Sequence, residues 1–296
     1  MKRIFFKEIR IICVGLRPIF LFSLILLFHQ ALFAGNNDEF RATWVITWHH
    51  INSAWTAEQN KAQVRKILDN HKKANMNAVL WQARQSGTAY YDSDYEPWGY
   101  YAGYSYPGYD PLEYAIEEAH KRGLELHAWV NVFQTSSTHP GTPAYEHPEW
   151  ICRDRDGNAM TEHRCVSPGL DSVREYTINV AMEIVRNYDI DGLHLDYVRW
   201  NEYSNDKKSQ EFAKLVEEER LLDGMITNEQ IQNLAENKAG RYLYDVKHPY
   251  SEVPPEGFDT WEDWWRWSVT EFVQVLHEVI QISMSWARLS AAALGK

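Results

Sequence analysis

The segment from Ile190 to Tyr197 constrains the fold most, because its side chains alternate in character along a short extended stretch. Successive side chains of a strand point to opposite faces of a sheet. Leu193 and Leu195 therefore share an apolar face that requires a covering helix, whereas His194 and Asp196 share a polar face. A strand of this kind, with a carboxylate near its carboxyl end, is typical of α/β sheets that bind a ligand at that end.

Four further apolar segments alternate with helical patterns, which predicts βα units on a parallel sheet and an α/β fold. The five predicted strands are 41–48, 77–84, 124–131, 190–197 and 288–293. One helix is predicted to begin after Asp110, with Pro111 in its first position, and to end at Gly123. The other predicted helices are 57–74, 172–188, 206–222, 228–236 and 260–283.

The first 34 residues carry a basic stretch followed by an apolar run, which is typical of a secretory signal. The apolar run, residues 19–28, is shorter than the roughly 20 residues of a membrane-spanning helix. Cleavage near Ala34 is expected, with an uncleaved anchor as the alternative. Residues 35–296 are then one exported domain, periplasmic or extracellular, with no stable membrane insertion after cleavage.

The chain is acidic, with a formal net charge of -11. Removing the leader, which holds five basic residues and one acidic residue, moves this charge to about -15. A basic surface is the usual signature of nucleic-acid binding, so no nucleic-acid partner is expected. A neutral glycan suits the charge better, and 13 Trp with 17 Tyr supply flat apolar faces for sugar rings. Aromatic residues also build ordinary cores, so composition leaves both interpretations open.

Two cysteines, Cys152 and Cys165, follow the predicted leader. An oxidising compartment would permit them to pair. The Asp156-Gly157 turn signal lies nearer to Cys152 than to Cys165, so we do not expect the two to face each other across a simple hairpin. The sequence leaves a disulfide and two free thiols equally open.

Alternation in the second, third and fourth predicted strands sends polar side chains to one interior face. Those side chains are Gln82, Arg84, His127, Asn131, His194 and Asp196. A barrel interior that serves stability alone is filled mainly by branched aliphatic residues. The polarity of this face therefore predicts a functional site.

An ordered series of motifs along the chain resembles the glycosyl-hydrolase-like family 10, the family of the divisome-localised glycosyl hydrolase. The motifs are FRATWV at 40–45, NAVLWQAR at 77–84, EPW at 96–98, YDPL at 109–112, AHKRGLELHAWVN at 119–131, SPG at 167–169 and DGLHLDY at 191–197. The order of the series is more specific than any one motif. The resemblance runs from about Phe40 to the last residue.

The resemblance implies a TIM-type (β/α)8 barrel, export, and action on a polysaccharide such as peptidoglycan glycan strands. An eight-stranded barrel usually takes about 250 residues, yet here five strands occupy a chain of that size. We therefore expect an incomplete barrel of about five βα units, the amino-terminal part of a longer glycosidase-like barrel truncated at its carboxyl terminus.

Glycoside hydrolysis uses two carboxyl groups, one to protonate the leaving oxygen and one to attack, stabilise or activate water. Asp196 is the predicted catalytic residue for the second role, because it lies at the end of the fourth strand. Its alternative role is to pair with Arg199 or to cap the following turn. The predicted substrate-binding residues are Gln82, Arg84, His127, Trp129, Asn131, His194, Arg199 and Trp48.

Two of these substrate-binding predictions specify contacts. Trp129 and Trp48 are expected to form a platform on which a sugar ring stacks. A buried Arg84 requires a carboxylate partner, and Asp196 is one candidate. The histidines have a simpler alternative as core residues with satisfied hydrogen bonds.

The general acid is not identified. Asp92, Asp94 and Glu202 lie on loops at the appropriate ends of the strands, where solvated carboxylates are also common. If the acid belongs to a strand after Lys296, this chain is a non-catalytic carbohydrate-binding protein or an inactive fragment.

A metal-dependent hydrolase is a second alternative. Its donors would be His49, His50, His127, His194 and Asp196. Adjacent histidines in a strand point apart, and the chain has no His-Glu-x-x-His or His-x-His spacing. We therefore expect neither a metal nor another cofactor.

Overall fold

The computed structural model describes residues 39–154, 156–161, 164–200, 244–251 and 253–292. The described residues from Arg41 onward belong to one compact unit. The predicted leader and the predicted helices at 206–222 and 228–236 lie outside the described residues. No helix among those described is long and apolar enough to cross a membrane.

A parallel sheet forms the centre of the unit. Its strands are β1 (Trp44–Val45), β2 (Ala78–Gln85), β3 (Thr88–Ala89), β4 (Glu125–Asn131), β5 (Gly192–Asp196) and β6 (Arg288–Ala291). The spatial order is β1-β2-β4-β5-β6, all parallel, and the short β3 pairs antiparallel with β2. The predicted α/β fold is confirmed, with five parallel strands among the described residues.

Helices connect these strands. They are α1 (Thr47–His50), α2 (Ala57–Lys73), α3 (Pro111–His120), α4 (Pro143–Glu146), α5 (Asp171–Asn187) and α6 (Trp261–Ser283), with 3₁₀ turns at Tyr100–Ala102 and Pro148–Trp150. Helix α3 begins as predicted, since the Asp110 side chain accepts hydrogen bonds from the backbone N–H groups of Leu112 and Glu113. Beyond the end of α3, Gly123 adopts a φ of 65°, a left-handed conformation that glycine accepts at no steric cost.

The first strand is shorter than predicted. The sequence favours a strand at 41–48, but pairing with β2 stops at Val45 and the chain turns into α1. The backbone N–H of Thr47 donates to the side-chain oxygen of Gln82, and the Thr47 hydroxyl donates to Gln85. These side chains take the place of the backbone hydrogen bonds that would continue the pairing of β1 with β2. The chain after Val45 therefore leaves the sheet and forms α1.

The apolar faces of the strands pack beneath the helices. Leu193 and Leu195 are fully buried in this core, as their alternation predicts. Neighbouring elements contribute to the same core, among them Val64 and Leu68 of α2, Leu112 and Ile116 of α3, Leu126 of β4, Ile184 of α5, and Phe272 and Leu276 of α6. Burying a side chain of this size contributes about 1.5–3 kcal/mol. The core thus lies on one side of the sheet and leaves the other side to polar groups.

Candidate active site

The register of the parallel strands brings polar side chains together on the face away from the helices. Gln82 is level with Trp129, which is level with His194. One step nearer the carboxyl ends, Asn131 is level with Asp196. We call this surface the polar face; its members are Gln82, His127, Trp129, Asn131, His194 and Asp196. Each of these was placed on it from the sequence, either by the interior alternation or by its substrate-binding role.

Asp196 lies at the carboxyl end of β5 and its side chain is partly exposed. One carboxylate oxygen accepts a hydrogen bond of 2.8 Å from the backbone N–H of Tyr197. Tyr197 has a φ of 50°, so the strand ends there in a left-handed residue. The alternative ion pair between Asp196 and Arg199 is not formed. The Arg199 guanidinium instead lies 5.1 Å from the centre of the Tyr197 ring. Asp196 is therefore oriented by a backbone hydrogen bond and not by an ion pair with Arg199.

His194 has both ring nitrogens engaged. The indole Nε1 of Trp44 lies 3.1 Å from Nε2, and the hydroxyl of Ser290 lies 2.9 Å from Nδ1. An indole N–H only donates, so Nε2 accepts and Nδ1 carries the proton that it donates to Ser290. Burial lowers the pKa of His194, although the nearby Asp196 opposes this shift. The imidazole is thus neutral and positions Trp44 rather than presenting a free polar atom to a ligand.

Trp44 is a member of the site that the interior alternation did not select. It belongs to β1, is 58% exposed, and lies 6.4 Å from Trp129 between ring centres. Trp129, in contrast, is only 8% exposed. Trp44 is therefore the ring that this face offers to solvent. Its presence in a motif shared with the resembling family was the signal that could have identified it.

A pair of amides connects β2 to β4 on the polar face. Gln82 donates a hydrogen bond of 3.2 Å to the side-chain oxygen of Asn131, and both side chains are buried. The oxygen of Gln82 accepts from the Thr47 backbone N–H at 3.1 Å. This fixes the amide orientation of Gln82 and, through it, that of Asn131. Asn131 thus presents a fixed side chain beside Asp196.

His127 belongs to the amino-terminal end of the polar face. Its Nε2 lies 3.1 Å from a carboxylate oxygen of Glu125, which also accepts hydrogen bonds from Arg288 of β6. Gly192 provides the space for this ring, since a Cβ there would lie 2.3 Å from Nδ1 of His127. Four residues of β5 separate this level from Asp196, about 13 Å at 3.3 Å per residue. His127 therefore helps to join β4 to β6, through Glu125 and Arg288, at the amino-terminal ends of the strands.

Arg84 does not share the polar face, and its predicted pairing with Asp196 is wrong. Strand β2 carries a register shift between Gln82 and Arg84, so that Arg84 is level with Val130 and points to the helical side. There its guanidinium donates to both carboxylate oxygens of Glu96. Tyr176 of α5 also donates to Glu96. Because of the extra residue in β2, Arg84 forms a buried ion pair with Glu96 beneath the helices.

The carboxyl ends of the strands are bordered by aromatic rings, of which Trp48, Tyr100 and Tyr104 are exposed. Trp48 of α1 lies 5.7 Å from Tyr101, which lies 5.2 Å from Tyr100. Tyr104 lies 6.0 Å from Tyr100 and stacks on His139 at 3.9 Å. We call these five residues the aromatic rim. Trp48 pairs with this rim and Trp129 pairs with Trp44, so the two tryptophans belong to separate groups rather than one platform.

The described strands supply one carboxylate at their carboxyl ends, Asp196. Glu125 shares the polar face but lies six residues before Asn131, about 20 Å along the sheet from the level of Asp196. Catalytic pairs in glycosidases are about 5–9.5 Å apart, so Glu125 cannot be the partner. The backbone N–H of Asp94 bonds to Glu183 of α5, on the helical side.

Other carboxylates considered from the sequence are also placed. The backbone N–H of Asp92 bonds to the Asp110 side chain, so its loop is tied to the start of α3. Glu202 lies outside the described residues. Within the described part of the chain, no group of three or more His, Cys, Asp or Glu side chains is arranged to hold a metal ion.

The fold and site together define an α/β protein of the barrel type with a carboxylate at the carboxyl end of a central strand. Residues 39–285 match the family Glycosyl hydrolase-like 10, and the chain belongs to that family.

Two relatives are glycosyl hydrolases by description. Glycosyl hydrolase YngK of Bacillus subtilis (strain 168) is 35% identical over 177 residues, which cover 55% of this chain and 34% of that protein. Glycosyl hydrolase DigH of Escherichia coli (strain K12) is 32% identical over 156 residues, which cover 47% of this chain and 34% of that protein. The chain thus spans about a third of the length of these relatives.

Solved structures of low sequence identity share the fold. Alpha-L-fucosidase isoenzyme 2 from Paenibacillus thiaminolyticus superposes with a TM-score of 0.51 and 17% identity, covering 86% of this chain and 32% of that one. A hypothetical protein from Ruminiclostridium thermocellum ATCC 27405 gives a TM-score of 0.51 at 14% identity, covering 84% of this chain and 96% of that one. Family membership and fold support a glycoside-hydrolase-like role.

Proposed function

We propose that this protein is an exported glycoside hydrolase that acts on a polysaccharide, specifically peptidoglycan glycan strands, with Asp196 as a catalytic carboxylate. The observation that carries the proposal is the position of Asp196, partly exposed at the carboxyl end of β5 and beside Asn131. Barrel enzymes place their catalytic groups at this end of the strands.

The surroundings of Asp196 hold its carboxylate in place without an ion pair. The Tyr197 N–H donates to one oxygen. No basic side chain is ion-paired with Asp196 among the described residues. An ionised, unneutralised carboxylate can stabilise or attack the positive centre that develops at the sugar carbon, or activate a water against it. A second carboxyl group, outside the described strands, protonates the leaving oxygen.

The exposed rings support a glycan substrate. Trp44 offers an indole face above the polar face, and the aromatic rim extends along the carboxyl ends of the strands. Aromatic faces bury the apolar faces of sugar rings while leaving their hydroxyls to polar groups. The acidic charge of the chain does not favour nucleic acid, and the basic-then-apolar leader supports export to the compartment that holds peptidoglycan.

Hydrolysis of purified peptidoglycan glycan strands, followed by release of reducing ends, tests this proposal. Asp196→Asn is expected to lower the rate by at least about 100-fold while retaining binding. Asp189→Asn is the matched control, since the Asp189 side chain is 87% exposed and lies at the amino-terminal end of β5. Equal rates for the wild type and Asp196→Asn would remove Asp196 from the mechanism.

A non-catalytic carbohydrate-binding protein is the second candidate. It is favoured by one observation, the presence of a single carboxylate at the carboxyl ends of the described strands. Co-sedimentation with insoluble glycan distinguishes the two candidates. Binding without release of reducing ends by the wild type supports the second candidate.

A further inference from the structure

The loop that connects β4 to α5 contains a short antiparallel pairing. Ile151 is level with Val166 in an isolated bridge. The backbone N–H of Cys152 donates to the carbonyl of Cys165 at 2.8 Å, and the N–H of Ser167 donates to the carbonyl of Trp150 at 2.8 Å. This pattern surrounds the Ile151–Val166 pair and places Cys152 directly opposite Cys165.

The hairpin at Asp156-Gly157 pairs Arg153 with Ala159, so the two cysteines do not face each other across it, as the sequence predicts; they meet where the returning chain pairs again. A turn at Asp154–Asn158 and a second bond, from the Met160 N–H to the Cys152 carbonyl, take up the residues between them. The pairing resumes at Cys165 because the returning chain also bonds to residues 133–135 on its other side. The intervening turn alone gives no indication of this register.

The separation of opposite residues in such a pairing suits a disulfide. Opposite residues of an antiparallel pairing have Cα atoms about 4.5–5.5 Å apart, and disulfides usually join Cα atoms about 4.4–6.8 Å apart. Side chains of opposite residues emerge on the same face of the pair. The hydrogen bond from the Cys152 N–H to the Cys165 carbonyl, beside the Ile151–Val166 bridge, brings the two backbones together at this spacing.

Both thiols are buried and reduced in the structure. Burial, together with the adjacent Cys165, raises the pKa of Cys152 well above its usual range. A buried neutral thiol is a poor nucleophile or metal ligand. Cys152 and Cys165 are therefore unsuited to nucleophilic attack or metal binding, and a structural role fits them better.

We propose that Cys152 and Cys165 form a structural disulfide. Each thiol loses its proton, one S–S bond forms, and the two electrons pass to a disulfide donor such as glutathione disulfide, which is reduced to two thiols. Because the folded thiols are buried, the exchange accompanies folding, while both sulfurs are still accessible.

A disulfide between Cys152 and Cys165 would restrict the motion of the loop next to Asp196. The Sγ of Cys165 lies 4.0 Å from the carbonyl oxygen of Arg199, and Phe133 donates to the carbonyl of Tyr197. Closing a ring from Cys152 to Cys165 restricts the unfolded chain. The disulfide therefore stabilises the segment that borders the end of β5.

Refolding in a glutathione redox buffer tests the proposal in a Cys13→Ser background, which leaves two cysteines. The expected product has a mass about 2 Da below that of the dithiol form and no thiol that reacts with maleimide in denaturant. A non-reducing peptide map should join the peptides that contain Cys152 and Cys165. The melting temperature should fall by about 5–10 °C on reduction.

Two further variants serve as controls. Cys152→Ala and Cys165→Ala, each in the same background, should leave one reactive thiol and a melting temperature that does not respond to reductant. Two maleimide adducts on the oxidised parent, or separate glutathione adducts on each cysteine, would overturn the proposal. The peptide map decides the matter even if a variant folds poorly.

Discussion

Arg84 and Glu96 form a two-point ion pair that is almost completely shielded from water. Nε of Arg84 lies 2.8 Å from one carboxylate oxygen of Glu96 and Nη2 lies 2.6 Å from the other. The side chains are 2% and 0% exposed. Arg84 also donates to the carbonyls of Asn131 and Val132, so the pair connects β2, β4 and the segment before Trp98.

Breaking this pair should destabilise the protein strongly. Glu96→Gln leaves the Arg84 guanidinium buried without a counter-charge, and we expect the free energy of unfolding to fall by about 3–5 kcal/mol. Urea denaturation provides the measurement. Asp263→Asn, which breaks the exposed pair with Arg266, should cost far less, because water screens an exposed ion pair. Similar losses for the two variants would contradict this account.

The stability of the protein should fall in acid because of His50. Burial lowers the pKa of His50 to about 3, whereas an unfolded histidine has a pKa near 6.5. Between these values the unfolded chain holds a proton that the folded chain does not, so the free energy of unfolding falls as the pH falls from about 6.5 towards 3. Above pH 6.5 this contribution is fully present.

Urea denaturation across pH 4–7 measures this effect. His50→Gln should flatten the pH dependence by up to about 1.4 kcal/mol per pH unit. His277→Gln, at an exposed position of α6, is the matched control for replacing a histidine by glutamine. An unchanged slope in His50→Gln would show that this residue does not cause the acid sensitivity.

Trp44 should control the protonation of His194. The indole N–H donates to Nε2 of the neutral imidazole, and a proton on Nε2 would break that bond. Trp44→Phe keeps an aromatic ring but removes the donor, so the pKa of His194 should rise. An NMR titration of the ring protons, assigned with His194→Asn, measures this shift. The idea fails if the His194 titration is the same in both proteins.

Gly192 should resist substitution because the His127 ring and the Arg288 carbonyl both converge on it. A Cβ at this position would lie 2.3 Å from Nδ1 of His127 and 2.8 Å from the carbonyl oxygen of Arg288. The second contact is backbone, so Gly192→Ala must push β6 away from β5. We expect a loss of about 1–3 kcal/mol in the free energy of unfolding.

Gly157→Ala separates crowding from backbone strain. Gly157 has a φ of 84° but nothing within 4 Å of an added Cβ. In Gly157→Ala the free energy of unfolding should fall only by the cost of a left-handed alanine, about 1–2 kcal/mol. Gly192→Ala should additionally weaken the hydrogen exchange protection of β6, whereas Gly157→Ala should not. Equal protection in both variants would contradict the proposed displacement of β6.

The aromatic rim should matter more for long glycans than for short ones. Trp48→Ala removes a ring that is 48% exposed and contacts Tyr101. We expect about 2–10-fold weaker binding of long strands, from the 0.5–1.5 kcal/mol of an aromatic contact. Trp286→Ala is the control, since Trp286 is exposed and precedes β6 at the opposite end of the strands. Equal effects on short and long ligands would refute this role.

Much of the sheet could be predicted because its information is local. The alternation from Leu193 to Asp196 specifies which side chains face the helices, since the pleat has a fixed period of two residues. The Asp110 cap and Gly123 likewise determine the limits of α3 within the chain itself. The placement of Asp196 on the polar face follows from the same rule.

The features that were missed depend on distant partners. The side-chain amides of Gln82 and Gln85 end β1, although they lie more than 30 residues away. The position of Cys165 opposite Cys152 depends on a pairing with residues 133–135. Neither contact produces a repeating pattern of polar and apolar residues from which it could be predicted. Arg84 was misplaced because one extra residue in β2 breaks the alternation.

That register shift decides which face of the sheet receives the guanidinium. Gln82 reaches the Asn131 amide on one side of the sheet and Arg84 reaches Glu96 on the other, with Ala83 between them. If Ala83 rather than Arg84 were level with Val130, regular alternation would turn the guanidinium towards the polar face and leave the buried Glu96 carboxylate without its counter-charge. One additional residue in a strand thus keeps a buried cation apart from the face that carries Asp196.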